Sequence, residues 1–153
     1  VISQFSLSGL LEDLRSEADG LLKKGQTLVF TMNLGHQDMR SDKNILRNIL
    51  YNLVSNAIKY SDEGKTITCQ GHVESDRLIM DIRDQGYGIP PEDQKHIGTR
   101  FFRASNAVNI PGTGLGLNIV QSYLHALNGE LTFVSEQGIG TTFTVSLPLH
   151  YEK

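Results

Sequence analysis

The sequence has little with which to cross-link itself and nothing long enough to cross a bilayer. Cys69 is its one cysteine, which excludes an internal disulfide and a cysteine zinc site. A fold independent of oxidation fits a reducing compartment, and the cytoplasm is the expected location. No apolar run approaches the roughly 20 residues of a transmembrane helix, and the first residues lack a signal-peptide pattern. An excess of positive charge is also missing. Lys and Arg total 14 against 17 Asp and Glu, a net charge of −3, so no broad field exists to hold a nucleic-acid backbone or an anionic membrane. A nucleotide phosphate would need only a local basic cluster. The chain opens at Val1-Ile2 without an initiator methionine, as expected of a piece of a longer protein.

What is present describes one globular domain over residues 1–153. Hydrophobic residues make up 39% and charged residues 20% of 153, ordinary values for a chain with a single core. Leu7, Leu10, Leu11, Leu14, Ala18, Leu21 and Leu22 recur at helical spacing and predict a helix over 7–24, with Gly25 as its stop. Residues 27–32 predict a strand. Ser41-Asp42 is a capping pair opening a long helix to about Tyr60. Residues 65–73 and 77–83 predict two strands joined at Glu74-Ser75-Asp76. Residues 84–113 predict a long loop with at most a short helix, and a loop of that length inside a compact domain usually carries function. A helix from near Gly114 to Leu127, stopped at Asn128-Gly129, and a hairpin around Gln137-Gly138 complete the pattern. Strands come mostly in adjacent pairs. The expected architecture is therefore an α+β two-layer sandwich, a mixed sheet with three helices on one face.

The long central helix carries two patterns. Ile45, Ile49, Leu53 and Ala57, with Leu46, Leu50, Val54 and Ile58, form a wide apolar face. Asn44, Asn48, Asn52 and Asn56 also recur every four residues and stack on another face, with Lys59 almost in line. That stripe is either a solvated face or a ligand surface. Asparagine is a mediocre helix former. An amide oxygen suits a hard cation, and amide and ammonium hydrogens suit phosphate oxygens.

Two glycine-rich boxes follow. Asp84-Gln85-Gly86-Tyr87-Gly88-Ile89-Pro90 comes directly after a strand. It reads as an ordinary glycine turn, or as a carboxylate that accepts the amino group of adenine while Gly86 and Gly88 let backbone lie close to the base. Gly112-Thr113-Gly114-Leu115-Gly116-Leu117 opens a helix, where backbone amides bind phosphate well. It lacks the Lys-Ser or Lys-Thr pair of a Walker loop and the spacing of a dinucleotide fingerprint. Phe101-Phe102-Arg103 precedes it, and Arg103 is either a solvated cation or a phosphate ligand.

In this order and at these spacings, Asn52…Asn56-Ala57-Ile58-Lys59-Tyr60, Asp84-x-Gly86-x-Gly88, Phe102-Arg103, Gly112-Thr113-Gly114-Leu115-Gly116-Leu117 and Gly138-x-Gly140-Thr141 closely resemble the catalytic domain of sensor histidine kinases. The resemblance spans about residues 7–148 and implies the Bergerat ATP-binding fold. It implies that Asn56 coordinates magnesium, that Asn52 contacts phosphate or a metal-bound water, and that Lys59 binds phosphate. Tyr60 would flank the adenine ring. Asp84, supported by Thr141 and followed by Gly86, Gly88 and Ile89, would bind its amino group. Arg103 would approach the terminal phosphate, residues 104–113 would form the ATP lid, and the glycines from Gly112 to Gly116, with Thr113, Leu115 and Leu117, would complete the phosphate site. Asn52, Lys59 and Arg103 would be the catalytic side chains. The stretch Ile97-Gly98-Thr99-Arg100 departs from the family, which often has an aromatic followed by an acid there.

The same superfamily includes DNA gyrase, a heat-shock chaperone and mismatch-repair ATPases, which hydrolyse ATP with a glutamate one helical turn before the metal-binding asparagine. Here that position is Asn52, whose amide cannot act as a general base. The implied activity is transfer of the γ-phosphoryl group of magnesium-bound ATP to a histidine. None of His36, His72, His96, His125 and His150 is followed by an acid, as an acceptor histidine usually is. The acceptor is therefore expected on a separate dimerising hairpin of the parent kinase, with a response regulator as the partner of that hairpin. No nucleic acid and no membrane contact are expected of this domain, although the parent protein could be membrane-anchored. The same residues also admit a stand-alone serine kinase of the anti-sigma-factor type, or a nucleotide-binding scaffold without catalysis.

Overall fold

The computed structural model describes residues 1–34, 38–95 and 116–152. Its elements run β1 (Ile2–Ser6), α1 (Leu7–Asp19), β2 (Thr27–Asn33), β3 (Asp38–Asp42), α2 (Lys43–Lys59), β4 (Thr66–Glu74), β5 (Arg77–Arg83), α3 (Pro91–Gln94), α4 (Gly116–Ala126), β6 (Glu130–Glu136) and β7 (Gly140–Pro148). Five strands form a mixed sheet in the order β2-β4-β5-β7-β6. Only β2 and β4 pair in parallel, which requires a crossover, and α2 lies within it. The two-layer α/β sandwich expected from the order of elements is the observed fold.

Alternation sets which face of the sheet is buried. Ile67 and Cys69 on β4, Leu78, Met80 and Ile82 on β5, and Phe143, Val145 and Leu147 on β7 all belong to the core. Their neighbours Thr66, Thr68, Asp81, Arg83, Thr142 and Thr144 are partly or fully exposed on the other face, as in an antiparallel sheet covered on one side. Helix α2 covers the buried face with Leu46, Ile49, Leu50, Leu53, Val54, Ala57 and Ile58. Full burial of a Val, Leu or Ile side chain contributes about 1.5–3 kcal/mol, so this face fixes α2 firmly on the sheet. Helices α1 and α4 flank α2, and α4 also rests on β6.

Local chemistry explains the boundaries. The Asp42 side chain caps α2 by accepting the Ile45 N–H at 3.0 Å. Ser41, the other member of the expected capping pair, is instead buried on β3. The β4–β5 hairpin turns on two residues, Ser75 at φ 51° and Asp76 at φ 60°, the left-handed pair of a type I′ turn. Asn128, at φ 62°, makes the left-handed turn after α4. Gly129, which follows it, has Ser146 and Leu147 packed where a side chain would go.

Two features differ from the sequence pattern. Helix α1 stops at Asp19 rather than running to residue 24, because Gly20 caps it and the chain turns into 21–26. Leu21 and Leu22 continue the apolar spacing but not the helix. Strands β1 and β3 were not expected at all. They pair with each other, antiparallel, from Ile2↔Asp42 to Ser6↔Asp38, and Arg40 of β3 also bridges His150 in parallel on its other edge. No helix among the described residues is long and apolar enough to cross a membrane.

Candidate functional site

The candidate site forms where the end of β5, the start of β7 and the end of α2 meet. Asp84 follows the last residue of β5. Its Oδ1 accepts the Gly86 N–H at 2.9 Å and the Thr141 N–H at 3.1 Å. Its own N–H donates to the Thr141 carbonyl at 2.9 Å. Oδ2 accepts no hydrogen bond among the described residues. Burial pushes the Asp84 carboxyl above its ordinary range, opposed by the bonds from Gly86 and Thr141.

The glycines around Asp84 serve close contact between loops. A Cβ on Gly86 would overlap the Tyr60 carbonyl, which draws the residue after α2 onto this loop. Gly88 sits at φ 69°, and a Cβ there would overlap the Glu136 carbonyl at the end of β6. A Cβ on Gly140 would overlap the carbonyl of Asp84 itself. The two glycine boxes at 84–88 and 138–140 are thus one packed unit, tied further by the Gly138 N–H donating to the Tyr87 carbonyl at 2.7 Å.

Ser135 and Gln94, which the sequence pattern did not single out, complete this unit. The Ser135 hydroxyl accepts the Ile89 N–H at 2.8 Å and lies 2.7 Å from the Thr141 hydroxyl. Gln94 donates to the Ile89 carbonyl at 3.0 Å. Ile89 itself is buried in the core. Both are polar side chains bonding across loops, which periodicity does not reveal.

On α2 the asparagine stripe divides. Asn44 and Asn48 are exposed, whereas Asn52 and Asn56 are half-buried. The Asn52 amide donates back to the Asn48 carbonyl at 2.9 Å. The Asn56 amide makes no hydrogen bond among the described residues, so its oxygen is available as a hard donor. The Lys59 ammonium lies 5.3 Å from the centre of the Tyr60 ring, a cation–π distance. No group of three or more His, Cys, Asp or Glu able to hold a metal occurs among the described residues.

The structure therefore brings Tyr60, Asp84, Gly86, Gly88 and Thr141 together at one end of the sandwich, with Asn52, Asn56 and Lys59 on the C-terminal half of the helix that leads into it. Leu117, on the first turn of α4, packs half-buried against the core, and Gly116 begins that helix. Arg103, Gly112, Thr113, Gly114, Leu115, the expected lid at 104–113, the 97–100 departure and both His36 and His96 lie outside the described residues.

The α/β sandwich with these candidate residues can be compared with known proteins. The chain belongs to the family of histidine kinase-, DNA gyrase B- and HSP90-like ATPases, whose model matches residues 41–151. Within that family the chain is similar to the catalytic region of sensor histidine kinases. It is 36% identical over 138 residues to the sensor histidine kinase WalK of Bacillus subtilis (strain 168), a match covering 86% of this chain. The chain spans only 23% of that relative's length. The mycobacterial sensor histidine kinase MprB shares the fold with a TM-score of 0.83 at 24% identity, covering 98% of this chain and 100% of that one. Full-length ShkA, solved in complex with AMPPNP, gives a TM-score of 0.84 at 24% identity, covering 99% of this chain and 32% of that one.

Proposed function

We propose that this domain binds magnesium-bound ATP and donates its γ-phosphoryl group to a histidine on a separate helical hairpin of the parent kinase. The observation that carries the reading is Asp84. Its carboxylate is half-buried at a strand end, one oxygen is held by two backbone N–H groups, and the other has no partner among the described residues. An acceptor set in this way suits an exocyclic amino donor such as that of adenine. Tyr60 would flank the ring, and Thr141 fixes the carboxylate through its N–H.

The phosphates would then run along the end of α2. The half-buried Asn56 amide, uncommitted among the described residues, fits a magnesium ion that keeps most of its ligands as water and phosphate oxygens. Bound there, magnesium would neutralise phosphate charge. Lys59 supplies a cation beside it, and Asn52 can orient a phosphate oxygen or a water. Asn52 has no basic lone pair with which to activate water, which favours transfer to another acceptor over hydrolysis. Arg103 and the stretch Gly112-Thr113-Gly114-Leu115-Gly116-Leu117 complete the proposal on sequence grounds.

The parent's histidine hairpin and its response regulator are the proposed partners. A direct test incubates the domain with γ-labelled ATP and a dimeric hairpin carrying an acceptor histidine. Alkali-stable, acid-labile label on the hairpin supports the proposal. Label on serine, or release of free phosphate alone, overturns it.

A further inference from the structure

The last carbonyls of a helix have no partner within it and must be satisfied elsewhere. At the end of α2 they are met by two side chains from the turn between α1 and β2. The Lys23 ammonium donates to the carbonyls of Lys59 at 2.9 Å and Ser61 at 2.8 Å. The Gln26 amide, 8% exposed, donates to those of Ile58 at 3.2 Å, Ser61 at 2.9 Å and Asp62 at 3.2 Å. Gln26 is itself held, because its Oε1 accepts the Lys23 N–H at 2.8 Å. An ammonium at a helix C-terminus also complements the helix dipole.

The carbonyls held this way belong to the segment that meets the candidate site. Lys59 and Tyr60 stand on it, and the Tyr60 carbonyl occupies the space that Gly86 leaves empty. On the far side the Tyr87 hydroxyl donates to Asp62 at 2.8 Å. Residues 58–62 are thus gripped on one side by the 23–26 turn and on the other by the loop carrying Asp84.

We infer that Lys23 and Gln26 are positioning residues for the nucleotide site, acting through the main chain of residues 58–62. They set the place of Lys59 and Tyr60 relative to Asp84, and they link the turn after α1 mechanically to the site. The inference rests on the nucleotide-binding reading above. An ammonium that satisfies two carbonyls can be replaced by a guanidinium but not by a thioether.

The test compares wild type with Lys23→Met, Lys23→Arg, Gln26→Met and a control, Leu78→Ala, which opens the core at the end of β5 away from Asp84. Affinity for a magnesium-bound, non-hydrolysable ATP analogue is measured by calorimetry well below every Tm. Amide hydrogen exchange at Tyr60, Ser61 and Gly86 is followed in the free protein. Lys23→Met and Gln26→Met are expected to bind about tenfold more weakly, because the site is no longer pre-organised, and to exchange faster at those three amides. Lys23→Arg is expected to restore both, and Leu78→Ala to lower Tm without changing either. Wild-type affinity and wild-type exchange in Lys23→Met and Gln26→Met overturn the positioning role alone. A wild type that binds no nucleotide overturns the site reading and this inference together.

Discussion

Asp84 and Thr141 are joined by two hydrogen bonds across 57 residues: the Asp84 N–H donates to the Thr141 carbonyl, and the Asp84 carboxylate accepts the Thr141 N–H. The pair continues the β5–β7 ladder beyond Arg83↔Thr142. It also fixes a half-buried carboxylate at the mouth of the candidate site. Rigidity and the cost of burying charge come from the same contact.

Asp84 is expected to weaken the free fold while serving the ligand. Its folded pKa lies above its ordinary value. Between those two values the folded chain therefore holds more protons than the unfolded one, and stability falls as pH rises through that window. Asp84→Asn removes the charge, and its amide oxygen can keep both backbone bonds. The variant should be at least as stable as wild type at neutral pH in urea unfolding. A clear loss of stability would show that the ionised carboxylate holds the two loops together.

Nucleotide affinity should follow the same group in the opposite sense. The ionised carboxylate is the stronger acceptor, so affinity is expected to weaken as pH falls through the raised Asp84 pKa, with proton release on binding in that range. Calorimetry in buffers of different ionisation enthalpy measures the protons directly. Binding with no proton exchange in that range would remove Asp84 from the contact.

Gly88 and Gly138 separate steric contact from backbone strain. Both have positive φ, at 69° and 82°. Nothing lies within 4 Å of a Cβ on Gly138, whereas one on Gly88 would overlap the Glu136 backbone. Gly138→Ala should cost about 1 kcal/mol from strain alone. Gly88→Ala should cost about 2 kcal/mol or more and should also impair nucleotide binding. Equal losses in denaturant unfolding would contradict the packing of the two glycine boxes.

Much of this was legible in the sequence because it is local. The spacing of four along α2 identified both its buried face and its asparagine stripe, and Glu74-Ser75-Asp76 marked the β4–β5 turn. Asp84, Gly86 and Gly88 stood out because glycine is used where backbone meets backbone. The short strands β1 and β3 were not legible, since ISQFS and DMRSD carry few apolar residues and form strands only through pairing with distant segments. Lys23 and Gln26 were equally hidden. Their partners lie more than 30 residues away and are carbonyls, which every residue has. The end of α1 was misread because Leu21 and Leu22 keep the helical spacing after the chain has turned.

Cys69 reports on the core. It is fully buried, and burial pushes its thiol up to about 12. The folded protein should resist an aromatic disulfide reagent at mildly alkaline pH, with labelling following global unfolding. Rapid labelling under native conditions would mean that β4 opens locally.

The most direct test of the central claim is calorimetric titration of the domain with a non-hydrolysable ATP analogue, with and without magnesium, beside Asp84→Asn. In the variant an amide donor faces the adenine amino group, or else the two backbone N–H groups lose their acceptor. A hydrogen bond to a charged group is worth about 1.5–3 kcal/mol, so binding should weaken by about tenfold to a hundredfold, with magnesium strengthening it in the wild type. Equal affinity in wild type and Asp84→Asn, or no binding by either, would contradict the assignment of Asp84 as the adenine acceptor.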